Sequence, residues 1–251
     1  MSCQKVVNVI YNRENTRAKF NSKVIVYFTY FLFCAKYISK MTLKLYFDLM
    51  SQPSRALYIL LKHIKYDFTP MRVDLRKVCF GFIRMHIPNF LKLNVMPFFF
   101  SVAILKYLSR EGIVPDSLYP KDSKQAARVE EFLEWQHAGL RLHCAMYFRV
   151  KVNPKSLQGY ERRMENALDT FSDLWLGHSR FVAGDQVSVA DLLAACEVEQ
   201  PRMAGYDPTA KYPNIAAWIQ RVRDHFAPHY AEGHTILNKV VENKSKIAPK
   251  L

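Results

Sequence analysis

The chain has 251 residues, of which 50% are hydrophobic and 23% are charged, a balance that predicts a folded protein with one or two hydrophobic cores. Its net charge is +14, but residues 1–40 supply +6 of this (seven basic residues against one acidic), and the remaining +8 forms no basic run, which argues against a nucleic-acid-binding protein. The five cysteines, at positions 3, 34, 79, 144 and 196, are too dispersed for a disulfide framework or a zinc cluster, so a reducing compartment is predicted.

An apolar stretch, residues 24–38, lies within the first forty residues. It is interrupted by Lys36 and is shorter than the roughly 20 residues of a typical membrane-spanning helix. It also lacks the early position and the small-residue cleavage site of a signal peptide. We therefore expect residues 1–40 to be an extension, either disordered or translated upstream of a start at Met41, with a weak membrane anchor as the alternative.

The first predicted elements are a strand followed directly by a helix. Hydrophobic residues alternate along 43–49, which is the period of a strand with one buried face, and they recur at helical spacing along 56–61. Pro53 suits the first turn of that helix. Ser51 therefore lies where unpaired backbone N–H groups and the helix dipole favour an anion. The serine alone is compatible with a simple helix N-cap or with a hydroxyl that serves a ligand.

The next segments continue the α/β pattern and then change to helices. Residues 68–75 predict a second strand, residues 101–110 predict a helix capped by Ser101, and the turn-rich residues 113–122 predict a linker. Beyond this linker, hydrophobic residues recur at steps of three and four, which predicts long amphipathic helices. These helices are predicted over residues 125–150, 160–177 and 211–225.

A folding signal precedes another helix. Ser188 and Asp191 form an S-x-x-D capping box, and Val187 and Leu192 form a hydrophobic staple around it. This pattern predicts the start of a buried helix and carries no catalytic meaning. Taken together, the elements predict a small α/β domain followed by an all-α domain, without an internal repeat.

Several segments together resemble the theta class of glutathione transferases, over nearly all of residues 41–243. They are LYFDLMSQPSRALYILL, SVAILKYLSR, YPKD, EFLEWQHAGLR, FVAGDQVSVADLLAACEVEQPRMAGYDP and YPNIAAWIQRV. The resemblance implies a thioredoxin-like glutathione-binding domain over 41–113, an all-helical electrophile-binding domain over 121–243, and a basic tail over 244–251. It also implies glutathione as co-substrate, small hydrophobic electrophiles as second substrate, no metal, a homodimer, a cytoplasmic location, and no nucleic-acid or membrane partner.

Within this resemblance, the turn at Ser51 gains a chemical meaning. Thioredoxin-like oxidoreductases carry C-x-x-C here, whereas residues 51–54 read S-x-x-S, so disulfide exchange is excluded. The family implies that Ser51 donates a hydrogen bond to the glutathione thiolate. Lowering the pKa of that thiol by about two units requires about 2.7 kcal/mol, within reach of one charge-assisted hydrogen bond and a helix terminus. A serine hydrolase is not indicated, because there is no G-x-S-x-G motif.

Two further residues match functional positions of the family. Ser101 corresponds to the serine of a Glu-Ser pair that binds the γ-glutamyl end of glutathione, with the helix N–H groups taking its carboxylate. Phe100 replaces the glutamate, so the acceptor for the substrate's ammonium group is missing. Arg141 matches an arginine that lies near the reacting sulfur, although a surface arginine on a long helix is an equal alternative.

The segment 76–100 departs from the family, which has here a helix, a V-P pair with a cis proline that pairs with the glutathione backbone, and two strands leading to Glu-Ser. Met96–Pro97 is one candidate for the pair, but only three residues separate Pro97 from Ser101, too few for a hairpin. Pro88 lies at a better distance, so both assignments stay open. Phe80 stands where the family has a histidine. A second apparent shortening, in the region that shapes the electrophile pocket, follows residues 149–155.

The sequence therefore predicts a glutathione transferase that conjugates the glutathione thiolate to epoxides, alkyl halides or peroxides. Ser51 and Arg141 are the expected catalytic residues. The expected glutathione-binding positions are Ser101, Pro97, Met96, Pro88 and Phe100. The alternative is a non-enzymatic protein that keeps the fold but has lost glutathione binding, because the departures cluster in the binding elements. A third hypothesis, a membrane-attached transferase, depends wholly on residues 24–38.

Overall fold

The computed structural model describes residues 43–74, 84–87, 96–98, 101–150 and 154–247, all of which belong to one unit, Leu43–Leu251. The predictions made for residues 1–40, and those for Phe80, Pro88 and Phe100, lie outside the described residues.

A four-stranded mixed sheet forms the first part of this unit. Its strands are β1 (Leu43–Phe47), β2 (Phe68–Arg72), β3 (Arg84–Ile87) and β4 (Met96–Phe98). They lie in the order β2-β1-β3-β4. β1 runs parallel to β2, whereas β3 is antiparallel to both β1 and β4. The connection from β1 to β2 is helix α1 (Gln52–His63), as parallel strands require a crossover.

The predicted strand and helix on either side of Ser51 are confirmed. Leu43, Leu45 and Phe47 are buried while Lys44 is exposed, which is the expected alternation along β1. α1 is buried along residues 52–61. The sheet packs against it, and so does a helix of the all-α part, Val189–Val198. The second strand ends at Arg72, three residues earlier than predicted. Its Pro70 is tolerated because β2 lies at an edge of the sheet.

The rest of the unit is helical. Its α-helices are α2 (Ser101–Arg110), α3 (Ser123–Ala138), α4 (Leu140–Val150), α5 (Pro154–Thr170), α6 (Val189–Val198), α7 (Pro208–Lys211), α8 (Pro213–His225), α9 (His229–Gly233) and α10 (Thr235–Ile247). A π-helical turn, Phe171–Trp175, extends α5, and a 3-10 turn, Gln200–Ala204, follows α6. Within the described ranges, none of these helices combines the length and the apolar character needed to cross a bilayer.

One predicted helix is in fact two. The periodic pattern of residues 125–150 is interrupted at Gly139, which leaves the helical conformation with φ −89° and ψ −104° and ends α3. A side chain at this position would lie 2.8 Å from the ring of Trp135, so the close approach requires glycine. The break lies just before Arg141 and leaves the hydrophobic spacing of the sequence unchanged.

Helix α6 lies at the centre of the helical part, with all ten of its residues buried. The predicted capping box starts it, since the backbone N–H of Ser188 donates to Asp191 Oδ2 at 2.8 Å and Ser188 Oγ accepts from the N–H of Ala190. Asp191 also accepts from the N–H of Val182 at 2.8 Å and from Trp218 Nε1 at 2.9 Å. The capping residue therefore anchors a loop and helix α8 as well.

Candidate active site

Ser51 occupies the turn between β1 and α1, as the N-cap residue of that helix. Its backbone N–H donates to the carbonyl of Asp48 at 2.9 Å, and its own carbonyl accepts from the N–H of Arg55 at 3.0 Å. The backbone of Ser51 is thus fixed on both sides. Its partly exposed hydroxyl makes no capping hydrogen bond. The N-cap interpretation accounts for the position of Ser51 but gives no role to its hydroxyl.

The two serines of the S-x-x-S motif have different surroundings. Ser54 is 1% exposed, and its hydroxyl accepts from the backbone N–H of Asp48 at 3.5 Å. The carboxylate of Asp48 in turn accepts from the N–H of Met50 at 2.9 Å. Ser54 and Asp48 therefore stabilise the turn from its buried side, while Ser51 lies partly exposed at the start of the helix.

Arg55 is a fully buried arginine, 0% exposed, that joins the turn to helix α6. Its Nη1 donates to the carbonyls of Leu49 at 3.1 Å and Met50 at 3.4 Å. Its Nη2 donates to the carbonyl of Cys196 at 2.8 Å and to Gln200 Oε1 at 2.7 Å. The guanidinium fork matches acceptors on two elements at once, which a lysine could not do. The backbone just before Ser51 is thus positioned by the helical part.

Ser101 begins helix α2 and is 3% exposed. Its hydroxyl oxygen has no hydrogen-bond partner within the part of the chain that the structure describes. A buried polar atom without a partner is uncommon in native proteins and calls for an explanation. At a helix N-terminus, an anion that the hydroxyl and the first backbone N–H groups bind together would supply one.

Arg141 lies in the first turn of α4 and pairs with a buried carboxylate. Its Nε is 3.6 Å from Glu197 Oε1, and its side chain is 33% exposed, whereas that of Glu197 is 1% exposed. The side chain of Arg141 is therefore partly in contact with solvent while it pairs with a carboxylate in the interior. The pKa of His137, one turn earlier, is lowered by burial and then by the charge of Arg141.

Glu197 comes from α6 and meets α1 as well as α4. Burial raises the pKa of its carboxyl to about 7, while the charges of Arg141 and Arg55 and the amide of Gln52 lower it. Gln52 directly follows Ser51 and is 7% exposed. Although these two side chains lie close together, neither Gln52 Nε2 nor Glu197 Oε2 has a hydrogen-bond partner of good geometry. The amide of Gln52, the neighbour of Ser51, is thus among the groups that act on the carboxyl of Glu197, the partner of Arg141.

Of the two candidate prolines, Pro97 lies within the described residues. Pro97 lies in β4, opposite His86 of β3 in the antiparallel register, and Met96 pairs with Ile87. Pro97 thus lies in the second strand of the β3–β4 hairpin, whereas the cis proline of the family precedes the hairpin. The hairpin is formed by residues 84–98, so its first strand comes before Pro97 in the sequence. A cis peptide bond occurs at Ala227–Pro228, between α8 and α9.

Comparison with known proteins decides the family. Residues 138–225 match the family model of the glutathione S-transferase C-terminal domain. Glutathione S-transferase theta-1 of Bos taurus is 35% identical over 236 residues, covering 84% of this chain and 98% of the relative. The theta-1 protein of Homo sapiens is 35% identical over 217 residues, covering 79% of this chain and 90% of the relative. The chain belongs to the theta class of glutathione S-transferases.

Solved structures agree with this assignment. The apo form of human glutathione S-transferase T1-1 superimposes on this theta-class chain with a TM-score of 0.71 at 31% identity, over 80% of this chain and 91% of that one. A human theta-class enzyme in complex with the glutathione conjugate of 1-menaphthyl sulfate gives 0.72 at 29% identity, over 82% and 91%. The predicted family, the thioredoxin-like domain plus all-helical domain, and the assignment as a glutathione transferase are confirmed.

Three residues beside the candidate site were not predicted from the sequence: Arg55, Gln52 and Glu197. A charged residue among the apolar positions of α1, and another inside the apolar stretch of α6, were visible signals, because charged side chains are almost never fully buried unless paired. Their partners belong to other elements, however, and periodicity does not report which elements touch. Among the residues that the structure describes, no three His, Cys, Asp or Glu side chains come together as metal ligands.

Proposed function

We propose that this theta-class protein conjugates the thiolate of glutathione to small hydrophobic electrophiles such as epoxides, alkyl halides and peroxides. The observation that carries the proposal is the hydroxyl of Ser51, which stands at the N-terminus of α1 without a capping role. Glutathione would occupy the domain of residues 41–113 and the electrophile the helical domain of residues 121–243. We also propose a cytoplasmic homodimer, as is normal in the family.

Ser51 would act by stabilising the thiolate. Its hydroxyl donates one hydrogen bond to the sulfur, and the α1 terminus adds the partial positive charge of its unpaired N–H groups. Both interactions favour the charged form of the thiol and therefore lower its pKa. The thiolate is the nucleophile, so a larger fraction of bound glutathione becomes reactive at neutral pH.

Ser101 and Arg141 would place the two ends of the co-substrate. The buried hydroxyl of Ser101 would donate to the glutamyl carboxylate and so gain the partner that it lacks. The guanidinium of Arg141, partly exposed at the start of α4, would favour the negative charge near sulfur. Holding thiolate and electrophile together then raises their effective concentration, which supplies most of the remaining rate enhancement.

The test uses the full chain and follows glutathione binding by calorimetry while the near-ultraviolet thiolate absorbance is titrated with pH. We expect Ser51→Ala to raise the pKa of the bound thiol by about one to two units, because a charge-assisted hydrogen bond contributes about 1.5–3 kcal/mol. The matched control is Ser123→Ala, which removes an exposed hydroxyl from the first turn of α3 and should leave the thiol pKa unchanged.

Two results would contradict the proposal in different ways. Binding of glutathione with a thiol pKa that does not respond to Ser51→Ala would remove the assigned role of the serine. Absence of binding up to millimolar glutathione in a folded protein would favour the non-enzymatic alternative, with Phe80 and Phe100 as the departures to reverse first.

A further inference from the structure

The carboxylate of Glu197 is an unusual group to find at the centre of a helical bundle. It is 1% exposed, and one of its oxygens, Oε2, has no hydrogen-bond partner among the described residues. A buried carboxylate in this condition is unfavourable for stability, since its lost hydration is only partly replaced. Its surroundings therefore need to be examined for a role other than holding the fold together.

The groups that face Glu197 come from three elements. Helix α4 contributes Arg141 and the thiol of Cys144, α1 contributes Arg55 and Gln52, and α6 itself contributes Cys196. The pKa of both thiols is raised, first of all by burial, so both are neutral at neutral pH. The charged partners of the carboxylate are therefore the two arginines.

Of these two arginines, Arg141 is the one that forms an ion pair with Glu197 among the described residues. All four hydrogen bonds of Arg55 go to other acceptors, which are the carbonyls of Leu49, Met50 and Cys196 and the side chain of Gln200. Arg141 approaches to 3.6 Å and makes its ion pair in the described part of the chain with Glu197. Because its side chain is one-third exposed, Arg141 would turn toward solvent if the carboxylate were absent.

We propose that Glu197 is a positioning residue for Arg141: its carboxylate holds the guanidinium beside the sulfur of bound glutathione and so supports turnover rather than glutathione binding. This inference rests on the proposed function, which places Arg141 near that sulfur. Gln52, the residue next to Ser51, is among the groups that face the same carboxylate. One buried group on α6 thereby faces both the catalytic arginine of α4 and the residue that follows Ser51 at the start of α1.

The first test is a double-mutant cycle on the full chain with Glu197→Gln, Arg141→Gln and the double variant. We expect each single change to lower kcat about tenfold, with the glutathione KM within about twofold of the wild type. The double variant should also lose about tenfold, because two residues that act as one unit are not additive. Glu165→Gln, which breaks a carboxylate pair with Lys211 elsewhere, is the control and should leave kcat unchanged.

The second test does not need activity. In a protein with 15N-labelled arginine, the Nε–H signal of Arg141 is identified by its loss in Arg141→Gln. We expect this signal to shift as the pH falls through about 7, where the buried carboxyl takes up its proton, and to show no such step in Glu197→Gln. The NMR signal reports the ion pair directly, whether or not an electrophile has been found.

The outcomes separate this inference from the proposed function. A roughly hundredfold loss in the double variant, or a raised glutathione KM with an unchanged kcat, would overturn the role of Glu197 while leaving the transferase intact. An Arg141 signal that is insensitive to both pH and Glu197→Gln would do the same. A wild-type protein that shows the pair but turns over no electrophile would overturn the proposed function, and the catalytic role of Glu197 with it.

Discussion

Glu197 and Glu199 lie two residues apart, both are buried, and the pKa values of their carboxyl groups move in opposite directions. Burial acts to raise both, but around Glu199 the charges of His234, Arg223 and Arg202 prevail and lower the pKa to about 2. Arg223 Nη2 and the hydroxyl of Tyr230 donate to its Oε1 at 2.8 and 2.9 Å, and Arg202 donates to Oε2. Glu199 has the partners that a stabilising carboxylate requires, and Glu197 does not.

This contrast predicts that Glu197→Gln stabilises the protein above neutral pH. The pKa of Glu197 is raised from 4.5 to about 7 in the folded state, so the folded protein binds this proton more tightly than the unfolded chain does. The resulting contribution to the free energy of unfolding is complete below pH 4.5 and is lost as the pH rises through about 7. The amide avoids that loss, and we expect a gain of about 3 kcal/mol in the free energy of unfolding at pH 8. The gain should disappear near pH 4.5.

Urea unfolding of both proteins at the two pH values measures this difference. A variant that is less stable than the wild type at pH 8 would assign Glu197 to the support of the fold. Greater stability combined with lower kcat is the outcome that a positioning residue predicts, because such residues are commonly held in unfavourable environments.

At the scale of elements, Arg55 is the main polar connection between α1 and α6. Arg55→Met keeps most of the volume but takes a donor from the carbonyls of Leu49 and Cys196 and from Gln200 Oε1, while the carbonyl of Met50 keeps only Gln200 Nε2, at 3.3 Å. We expect a loss of about 3–5 kcal/mol in the free energy of unfolding, measured in urea at pH 7, because several buried acceptors lose their donor together. Arg110→Met, at an exposed site, should change it by less than about 0.5 kcal/mol.

Some of these elements could be predicted from the sequence and others could not. The period-two pattern predicted β1, the capping box predicted the start of α6, and proline with helical spacing predicted α1, because each of these signals is local. The division of the predicted helix 125–150 at Gly139 could not be read, since hydrophobic spacing continues across it. The ion pair of Glu197 with Arg141 could not be predicted either, because it depends on how two separate helices pack.

At the scale of the whole molecule, the resemblance identified the family and both parts of the fold, and it led to Ser51, Ser101 and Arg141. These positions lie in segments whose motifs are specific when taken together. The segment 76–100 stayed ambiguous, because a proline that must precede a hairpin cannot be chosen before the strands are known. The structure places Pro97 inside that hairpin, and Pro88 lies outside the described residues.

The hydrogen bonds of Arg55 to the turn and to α6 have a consequence for how the protein loses its activity on unfolding. Since the carbonyls just before Ser51 accept from a guanidinium whose other amino group donates to α6, the turn depends on the helical part as well as on its own local hydrogen bonds. Unfolding of the helical part should therefore disorder the turn, and abolish activity, in the same cooperative transition. All three tryptophans, at positions 135, 175 and 218, report that bundle by fluorescence. We expect their urea transition to coincide with loss of turnover, and an inactive protein with native fluorescence would show the turn to be an independent unit.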